Sequence, residues 1–230
     1  MKLYLSSYKV GDRIEELKKW IDEHGNKICL IPNLRDIYTE SERKSSGIQA
    51  DVNELTDLGF DVTVISLRDY FNNKEELLSR IKEFNAFYVI GGNTFALRQA
   101  MYLSGFDEYV KTIENNPNYL YAEYSAGICV LAKDMHGLEI VDDPNITPYG
   151  IDTMWNGLGY FDYIFLPHYK SNHKETELID ASVEYCNKHN IKYKTLRDGD
   201  VIIQQIEKEK VALSWETLTK KLLSFIYHLV

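Results

Sequence analysis

A serine in a setting that suits nucleophilic chemistry follows the apolar run YLYAEY. Ser125 is followed by Ala126 and Gly127, and a helix-like run begins there. Small residues after a serine permit the sharp strand-to-helix turn that exposes a nucleophilic hydroxyl. The free N–H groups at the start of that helix would stabilise a developing negative charge. Serine is also a common helix N-cap, so the tripeptide alone leaves both interpretations open.

A nucleophilic serine needs a neighbouring base, and His168 is the best placed of the six histidines. It follows Pro167 at the end of the apolar run YIFLPH, where an imidazole would face the carboxyl edge of a sheet. A buried structural histidine is the alternative interpretation. His136 and His173 lie in predicted loops near this point and are candidate substrate contacts.

Two glycines end another apolar run, AFYVIGG. Gly91 and Gly92 permit close backbone approach, so the Gly92 amide is a candidate oxyanion donor together with the Ala126 amide. The next residues, NTFA, lack the later glycine of a dinucleotide fingerprint, and no GK[ST] follows. We therefore predict no nucleotide-binding loop here. Asn93 is a candidate substrate-binding residue.

The elements that must position these residues alternate along the chain. The runs KLYLSS, KICLIPN, FDVTVIS, AFYVIGG and YLYAEYS are strand-like, and helix-like runs separate them. Such apolar strands predict one doubly wound, three-layer α/β domain over residues 1–230, with a mostly parallel sheet. The segment KTLRDGDVIIQQIEKEKVALS predicts a small antiparallel C-terminal extension, and TLTKKLLSFIYHLV predicts a final helix packed on the sheet. Ligands bind at the carboxyl ends of such strands, where Gly92, Ser125 and His168 would meet.

Composition narrows the functional class. The 26 basic and 35 acidic residues give a net charge of −9 without a basic cluster, which argues against a nucleic acid partner. No apolar run approaches the roughly 20 residues of a membrane span. The 3 cysteines are widely spaced, which argues against disulfides or a zinc site and favours the cytoplasm. We expect no cofactor or metal, and a monomer or a homodimer is equally compatible with the sequence.

Five segments in order resemble peptidase family S51, which includes peptidase E and, more distantly, cyanophycinase. They are YVIGGNTFALRQAM, YSAGICVLA, LEIVDDP, GLGYFDYIFLPHY and TLRDGDVII. The resemblance covers most of the chain. It implies a fold like that of class I glutamine amidotransferases (flavodoxin-like), with serine in place of their elbow cysteine. It also implies a serine-type peptidase that cleaves short peptides without a cofactor.

The resemblance assigns roles residue by residue. Ser125 would be the nucleophile and His168 the base, with the Gly92 and Ala126 amides as the oxyanion hole. The acidic third member corresponds to the stretch HGLEIV, where Glu139 is the nearest carboxylate. A glutamate that reaches Nδ1 can orient a histidine as well as an aspartate can. Asp134 and Asp142 are the alternatives.

Two departures from the family pattern concern the elbow and the substrate. Glu123 stands where the family usually has glycine, two residues before the serine. The region PHYKSNHKETELID lacks the arginine expected to bind a substrate aspartate, and its cations near the histidine are Lys170 and Lys174. Strict specificity for Asp-X dipeptides is therefore not expected; Lys170 and His173 are the candidate substrate contacts. A catalytically decayed small-molecule-binding protein and an amidase acting on a non-peptide amide remain alternatives.

Overall fold

The computed structural model describes residues 1–38 and 42–206 as strands joined by helices and loops. The strands are β1 (Lys2–Ser6), β2 (Lys27–Ile31), β3 (Asp61–Val64), β4 (Ala86–Val89), β5 (Leu120–Tyr124), β6 (Ile164–Leu166), β7 (Tyr193–Thr195) and β8 (Val201–Gln205). The α-helices are α1 (Ile14–His24), α2 (Glu42–Asp57), α3 (Lys74–Ile81), α4 (Thr94–Ser104), α5 (Phe106–Ile113), α6 (Ala126–Cys129) and α7 (Thr176–His189). Short 3-10 helices cover Asn33–Arg35 and Leu67–Tyr70.

The central sheet has the strand order β3-β2-β4-β5-β1-β8. Its first five strands are parallel, and β8 pairs antiparallel with β1, so that Ser6 lies opposite Val201. The predicted mostly parallel sheet is thus confirmed, and β8 supplies an antiparallel C-terminal strand. The predicted antiparallel pairing is wrong for β7. This strand pairs in parallel with β6 in a separate two-stranded sheet.

Both faces of the central sheet are covered. Successive side chains of a strand point to opposite faces, and because both sets are apolar, each face packs against helices. One face packs against α3, α4 and α5, with a buried core that includes Leu3, Leu5, Phe87, Val89, Tyr121, Leu77, Leu97 and Phe106. The other packs against α1 and α2, with Tyr4, Leu30, Tyr88, Ala122, Leu17, Trp20 and Leu55. The architecture is the predicted three-layer arrangement, and the three cysteines are free and buried within it.

Parallel strands place their carboxyl ends at one edge of the sheet. Residues that follow β1, β2, β4 and β5 therefore converge there, and the candidate nucleophile follows β5. Within the described ranges no helix has the length and hydrophobicity needed to cross a membrane. The predicted C-terminal helix, at 217–230, lies outside the described residues.

Candidate active site

The turn between β5 and α6 presents Ser125 in a strained conformation. Its φ of 53° and ψ of −125° lie outside the regions that side-chain-bearing residues ordinarily occupy. The backbone is held on both sides, since Ser125 N–H donates to the Ser6 carbonyl (3.3 Å) and its own carbonyl accepts from Ile128 N–H (3.0 Å). Its hydroxyl makes no capping hydrogen bond to α6 in the described structure. The N-cap interpretation is therefore not supported, and the hydroxyl is directed elsewhere.

Gly127 allows α6 to pass close to the sheet. A Cβ at this position would lie 3.0 Å from the Val89 carbonyl oxygen and 3.1 Å from Glu123 Cβ. These separations are tighter than about nine in ten real Cβ contacts, so a larger residue would require its neighbours to shift by a few tenths of an ångström. Glycine two positions after the serine thus favours the close packing of the elbow.

The imidazole of His168 lies directly beside the serine. Its Nε2 is 2.9 Å from Ser125 Oγ, and the residue is only 1% exposed. His168 has a φ of 63°, and its N–H donates to Ser7 Oγ (2.9 Å) just beyond β1. Its carbonyl accepts from Thr176 Oγ1 (3.0 Å) at the start of α7. Ser7, which follows β1, and Thr176, at the start of α7, therefore fix the strained backbone that directs the ring toward Ser125.

The other ring nitrogen of His168 contacts an acid that the sequence analysis did not select. Nδ1 lies 2.6 Å from Oδ1 of Asp198, in the turn between β7 and β8. Asp198 is itself held, because Ser7 Oγ donates to the same oxygen (3.2 Å) and Asp198 N–H donates to Ser171 Oγ (2.8 Å). A serine, an imidazole and a carboxylate are therefore connected in the order that acyl transfer requires.

The prediction that Glu139 orients His168 disagrees with this geometry. Glu139 Oε2 accepts from Gly137 N–H at 2.5 Å, which closes a local turn. Its negative charge also raises the pKa of the Tyr185 hydroxyl on α7, which places the carboxylate beside that helix. In the described structure Asp198 occupies the position expected for Glu139.

The two alternative carboxylates also have other partners. Asp142 Oδ2 accepts from Thr94 N–H (2.8 Å) at the start of α4, and burial raises the pKa of Asp142 to about 6. Asp134 contacts His136 Nδ1 (2.6 Å) on the surface. Neither contacts His168 in the described structure. His136 also stacks on Trp155 and lines neither cavity beside Ser125.

Two candidate oxyanion donors flank Ser125. Gly92 and Ala126 line the same recess as the serine. The Ala126 amide is in the first turn of α6, where backbone N–H groups have no helical partner. A side chain at Gly92 would lie only 2.3 Å from the Leu34 carbonyl oxygen, so glycine is required at this close approach.

Asn93 has a structural role in place of the predicted substrate contact. It is 2% exposed, and its Oδ1 accepts from Ala96 N–H (2.9 Å) as the N-cap of α4. Its Nδ2 donates to the Asp143 carbonyl (3.2 Å), and its N–H to the Leu34 carbonyl (2.9 Å). Asn93 thus anchors the loop that carries Gly92.

Two cavities adjoin Ser125. The small recess has a volume of about 10 Å³ and combines Gly92, Ala126, Asp142 and Glu175 with apolar side chains. The open cleft, of about 220 Å³, is lined by Tyr8, Lys9, Arg35, Tyr38, Tyr124, His168, His173, Lys174 and Glu175 together with Gly91, Gly92 and Ser125. The recess thus carries carboxylates, and the cleft carries most of the positive charge.

A buried aspartate organises one wall of the open cleft. Asp51 is fully buried and accepts from Lys9, from Arg35 Nη2 (2.7 Å) and from the Tyr124 hydroxyl (2.9 Å). Arg35 Nε also donates to the Gly91 carbonyl (3.4 Å), which ties the glycine loop to this network. The sequence analysis missed Lys9 and Arg35, because only the parallel topology brings the ends of β1 and β2 beside Ser125.

The basic residues predicted near His168 separate in the structure. Lys170 is exposed and its ammonium lies over the Tyr169 ring, 5.0 Å from the centroid, away from the cleft lining. Lys174 lines the cleft. His173 also lines the cleft, but its ring stacks on that of His168 with 3.6 Å between centroids.

In the part of the chain that the structure describes, one cluster has the composition of a metal site. His168, His173 and Glu175 each offer a ligand atom, and these atoms lie within 4.8 Å of one another. The two imidazole planes are nearly parallel, at 11° and 3.6 Å. An imidazole binds a metal in its own plane, so two stacked rings cannot direct their lone pairs at one ion without rotating. The observed arrangement therefore does not favour a metal centre.

Comparisons with known proteins identify the family and agree with the fold. The model of peptidase family S51 matches residues 5–213. A peptidase E from Streptomyces coelicolor is 27% identical over 201 residues, which covers 84% of this chain and 72% of that protein. An uncharacterised peptidase from Listeria monocytogenes is 24% identical over 171 residues, with coverage of 73% and 77%.

Two solved structures share the fold. A Listeria monocytogenes EGD-e protein described as a peptidase E superposes with a TM-score of 0.67 at 19% identity, covering 90% of this chain and 98% of that one. A peptidase from an acI-B1 actinobacterium gives a TM-score of 0.59 at 16% identity, with coverage of 89% and 83%. These similarities confirm the predicted α/β fold.

Proposed function

The chain belongs to peptidase family S51 and is a serine-type peptidase, and from this premise we propose that it hydrolyses short peptides through an acyl-enzyme on Ser125. The observation that carries the proposal is the connected series Ser125 Oγ, His168 and Asp198, with separations of 2.9 and 2.6 Å. Such a series activates a hydroxyl that is otherwise a weak nucleophile.

The proposed reaction has two halves. His168 Nε2 takes the proton of Ser125 as Oγ attacks the peptide carbonyl, and Asp198 stabilises the resulting imidazolium. His168 then protonates the leaving amine, which breaks the C–N bond and leaves an ester on Ser125. In the second half, His168 removes a proton from water as the water attacks the ester, and returns a proton to Oγ. The amides of Gly92 and Ala126 would bind the oxyanion in both halves.

The charges around Ser125 support a short, zwitterionic substrate. Asp142 and Glu175 in the small recess suit a free α-ammonium group, whereas Lys174 in the open cleft suits a carboxylate. Lys9 and Arg35 also line the cleft, but both are already paired with Asp51. The recess, at about 10 Å³, admits a group about the size of one water molecule, such as an ammonium group, and has no room for a peptide chain. We therefore propose a dipeptidase-like substrate whose amino end lies toward the recess.

The same charges argue against strict Asp-X specificity. The guanidinium of Arg35 is already bonded to Asp51 and Gly91, so it is not a free fork for a second carboxylate. The start of α7 carries no arginine. We propose a broader preference for the first residue of the peptide.

The alternatives are less well supported. A decayed, binding-only protein has no reason to keep three catalytic-type groups in hydrogen-bonding order. An amidase acting on a non-peptide amide would use the same chemistry, and only a panel of substrates separates it from a dipeptidase.

The first test is labelling with a fluorophosphonate probe, followed by intact mass. We expect one adduct on the wild-type protein and none on Ser125→Ala or His168→Ala, because the probe reacts only with an activated serine. Ser79→Ala, which alters an exposed serine on α3, serves as the matched control and should label normally. A folded wild-type protein without an adduct would contradict the proposal. Hydrolysis of dipeptides but not of simple amides would then exclude the amidase.

A further inference from the structure

His173 and His168 form a stacked pair at the mouth of the cleft. Their ring centroids are 3.6 Å apart and their planes differ by 11°. Tyr8 packs against both rings, with centroid distances of 5.8 Å to His168 and 5.6 Å to His173. Sequence reasoning predicted a substrate contact for His173, but this geometry makes the neighbouring imidazole its main aromatic partner.

We propose that His173 is a positioning residue for His168, holding the plane of its ring and stabilising the positive charge that it acquires during catalysis. The inference rests on the proposed function, since it concerns how the general base of that reaction is held.

The hydrogen bonds of His168 leave one motion unrestrained. Asp198 and Ser125 contact its two ring nitrogens, at 2.6 and 2.9 Å. They resist translation of the ring, but they allow it to tilt about the line through the two nitrogens. A second ring stacked on its face resists that tilt. The restraint matters most in the acyl-enzyme, in which Ser125 Oγ is esterified and has no proton to share.

The contacts of His173 favour a neutral ring. Its Nδ1 accepts from Glu175 N–H (3.3 Å), which leaves the ring proton on Nε2. Burial and the neighbouring His168 lower the pKa of His173 below its ordinary value of 6.5, and the charge of Lys174 acts in the same direction. Glu175 and Asp198 oppose this shift. A neutral aromatic face beside an imidazolium is attractive, whereas a protonated His173 would repel it.

Two substitutions separate the ring from the hydrogen bond. His173→Phe keeps an aromatic face but loses the acceptor for Glu175 N–H. His173→Asn keeps an acceptor of similar reach but loses the ring. A third variant, His173→Leu, fills space without an aromatic face and replaces the asparagine variant if that protein does not fold. Circular dichroism and thermal unfolding establish that each variant is folded.

The measurement is the second-order rate of fluorophosphonate labelling between pH 5 and 9, which needs no known substrate. We expect His173→Phe to label within about threefold of wild type, and His173→Asn to label at least tenfold more slowly. We also expect the apparent pKa of the labelling profile to be lower in His173→Asn, because the imidazolium has lost a stabilising neighbour.

The possible outcomes of the labelling experiment separate the inference about His173 from the proposed function. Wild-type rates and an unchanged profile in His173→Asn, or in His173→Leu if that variant is used, would overturn the inference. Equal impairment of the phenylalanine and asparagine variants would also overturn it, because a histidine-specific role would then explain both. Absence of labelling in the wild-type protein would instead overturn the proposed function, so the two failures are distinguishable.

Discussion

At the scale of single residues, Ser125 and His168 were predictable from the sequence, whereas Asp198, the acid beside His168, was not. Ser125 and His168 each follow an apolar run directly, so their positions at strand ends were predictable. Asp198 lies three residues beyond β7, in the segment TLRDGD. It reaches His168 because Leu166 of β6 pairs with Thr195 of β7, which brings the two strand ends together. Nothing in the sequence alone specifies that pairing, and a nearby carboxylate such as Glu139 is the natural but incorrect choice.

Substitution of the two carboxylates tests this assignment. Asp198→Asn keeps the size of the side chain but removes the charge that stabilises the imidazolium, so we expect kcat or the labelling rate to fall by about 1,000- to 10,000-fold. Glu139→Gln alters a local turn and a contact with Tyr185 on α7, neither of which touches His168, and it should remain within about threefold of wild type. Both variants are compared by labelling at pH 8. A loss in Glu139→Gln as large as that in Asp198→Asn would contradict the structure-based assignment.

At the scale of elements, the strands of the central sheet and the helices around it were predictable because apolar strands of four or five residues and amphipathic helices have distinct periods. The separate β6–β7 sheet was not. Each of its strands has three residues, which is too short for alternation to show pairing direction. The His168 and Asp198 loops both depend on this short sheet. The part of the site that the sequence failed to predict is therefore the part built on it.

The elbow between β5 and α6 also accommodates an unusual carboxylate. Glu123 is fully buried on β5, and neither of its oxygens has a hydrogen-bond partner among the described residues. Its Cβ lies beside Gly127, whose missing side chain leaves room for it. Burial raises the pKa of Glu123 well above its ordinary value, and Tyr121 and Tyr160 lie close enough to be influenced by its charge. The folded protein thus favours the protonated acid.

A pH-dependent stability difference follows for Glu123→Gln. The raised pKa means that the stability contributed by the protonated acid is complete below the pKa of the unfolded chain, near 4.5, and is lost as pH rises through the folded pKa. Glutamine stays neutral throughout. The variant should therefore gain in Tm over wild type by about 3–5 °C for each pH unit within that window. Thermal unfolding from pH 4.5 to 9 measures it, and a difference that does not change with pH would refute the buried-acid interpretation.

At the scale of the whole molecule, the parallel topology assembles the site from distant segments. Ser7 follows β1, Arg35 follows β2, Gly92 follows β4 and Ser125 follows β5, and all four lie at one edge of the sheet. That edge was predictable as the functional face. The distribution of charge along it was not, because it depends on which loops the strand order makes neighbours. The result is a small recess beside Ser125 that contains Asp142, and an open cleft that contains the cations, with Glu175 lining both.

This polarity predicts how substrates with free and blocked amino groups behave. If Asp142 binds the α-ammonium of a peptide, N-acetylated dipeptides should be poor substrates, and Asp142→Asn should raise KM for free dipeptides by about 10- to 100-fold. Asparagine retains an acceptor for Thr94 N–H, so α4 should remain intact. Because the pKa of Asp142 is raised to about 6, KM for free dipeptides should fall as pH rises through that value and the carboxylate ionises.

The comparison of Asp142→Asn with the wild-type protein needs a control variant that also removes one negative charge. Asp162→Asn removes an exposed carboxylate that pairs with Lys192 and lines neither cavity beside Ser125, and it should leave KM unchanged. Steady-state kinetics on free and acetylated forms of the same dipeptides provide the measurement. Equal cleavage of both forms by the wild-type protein would show that the recess does not bind the amino end. The charge across Ser125 would then orient substrates in another way, while the chemistry at Ser125 would be unaffected.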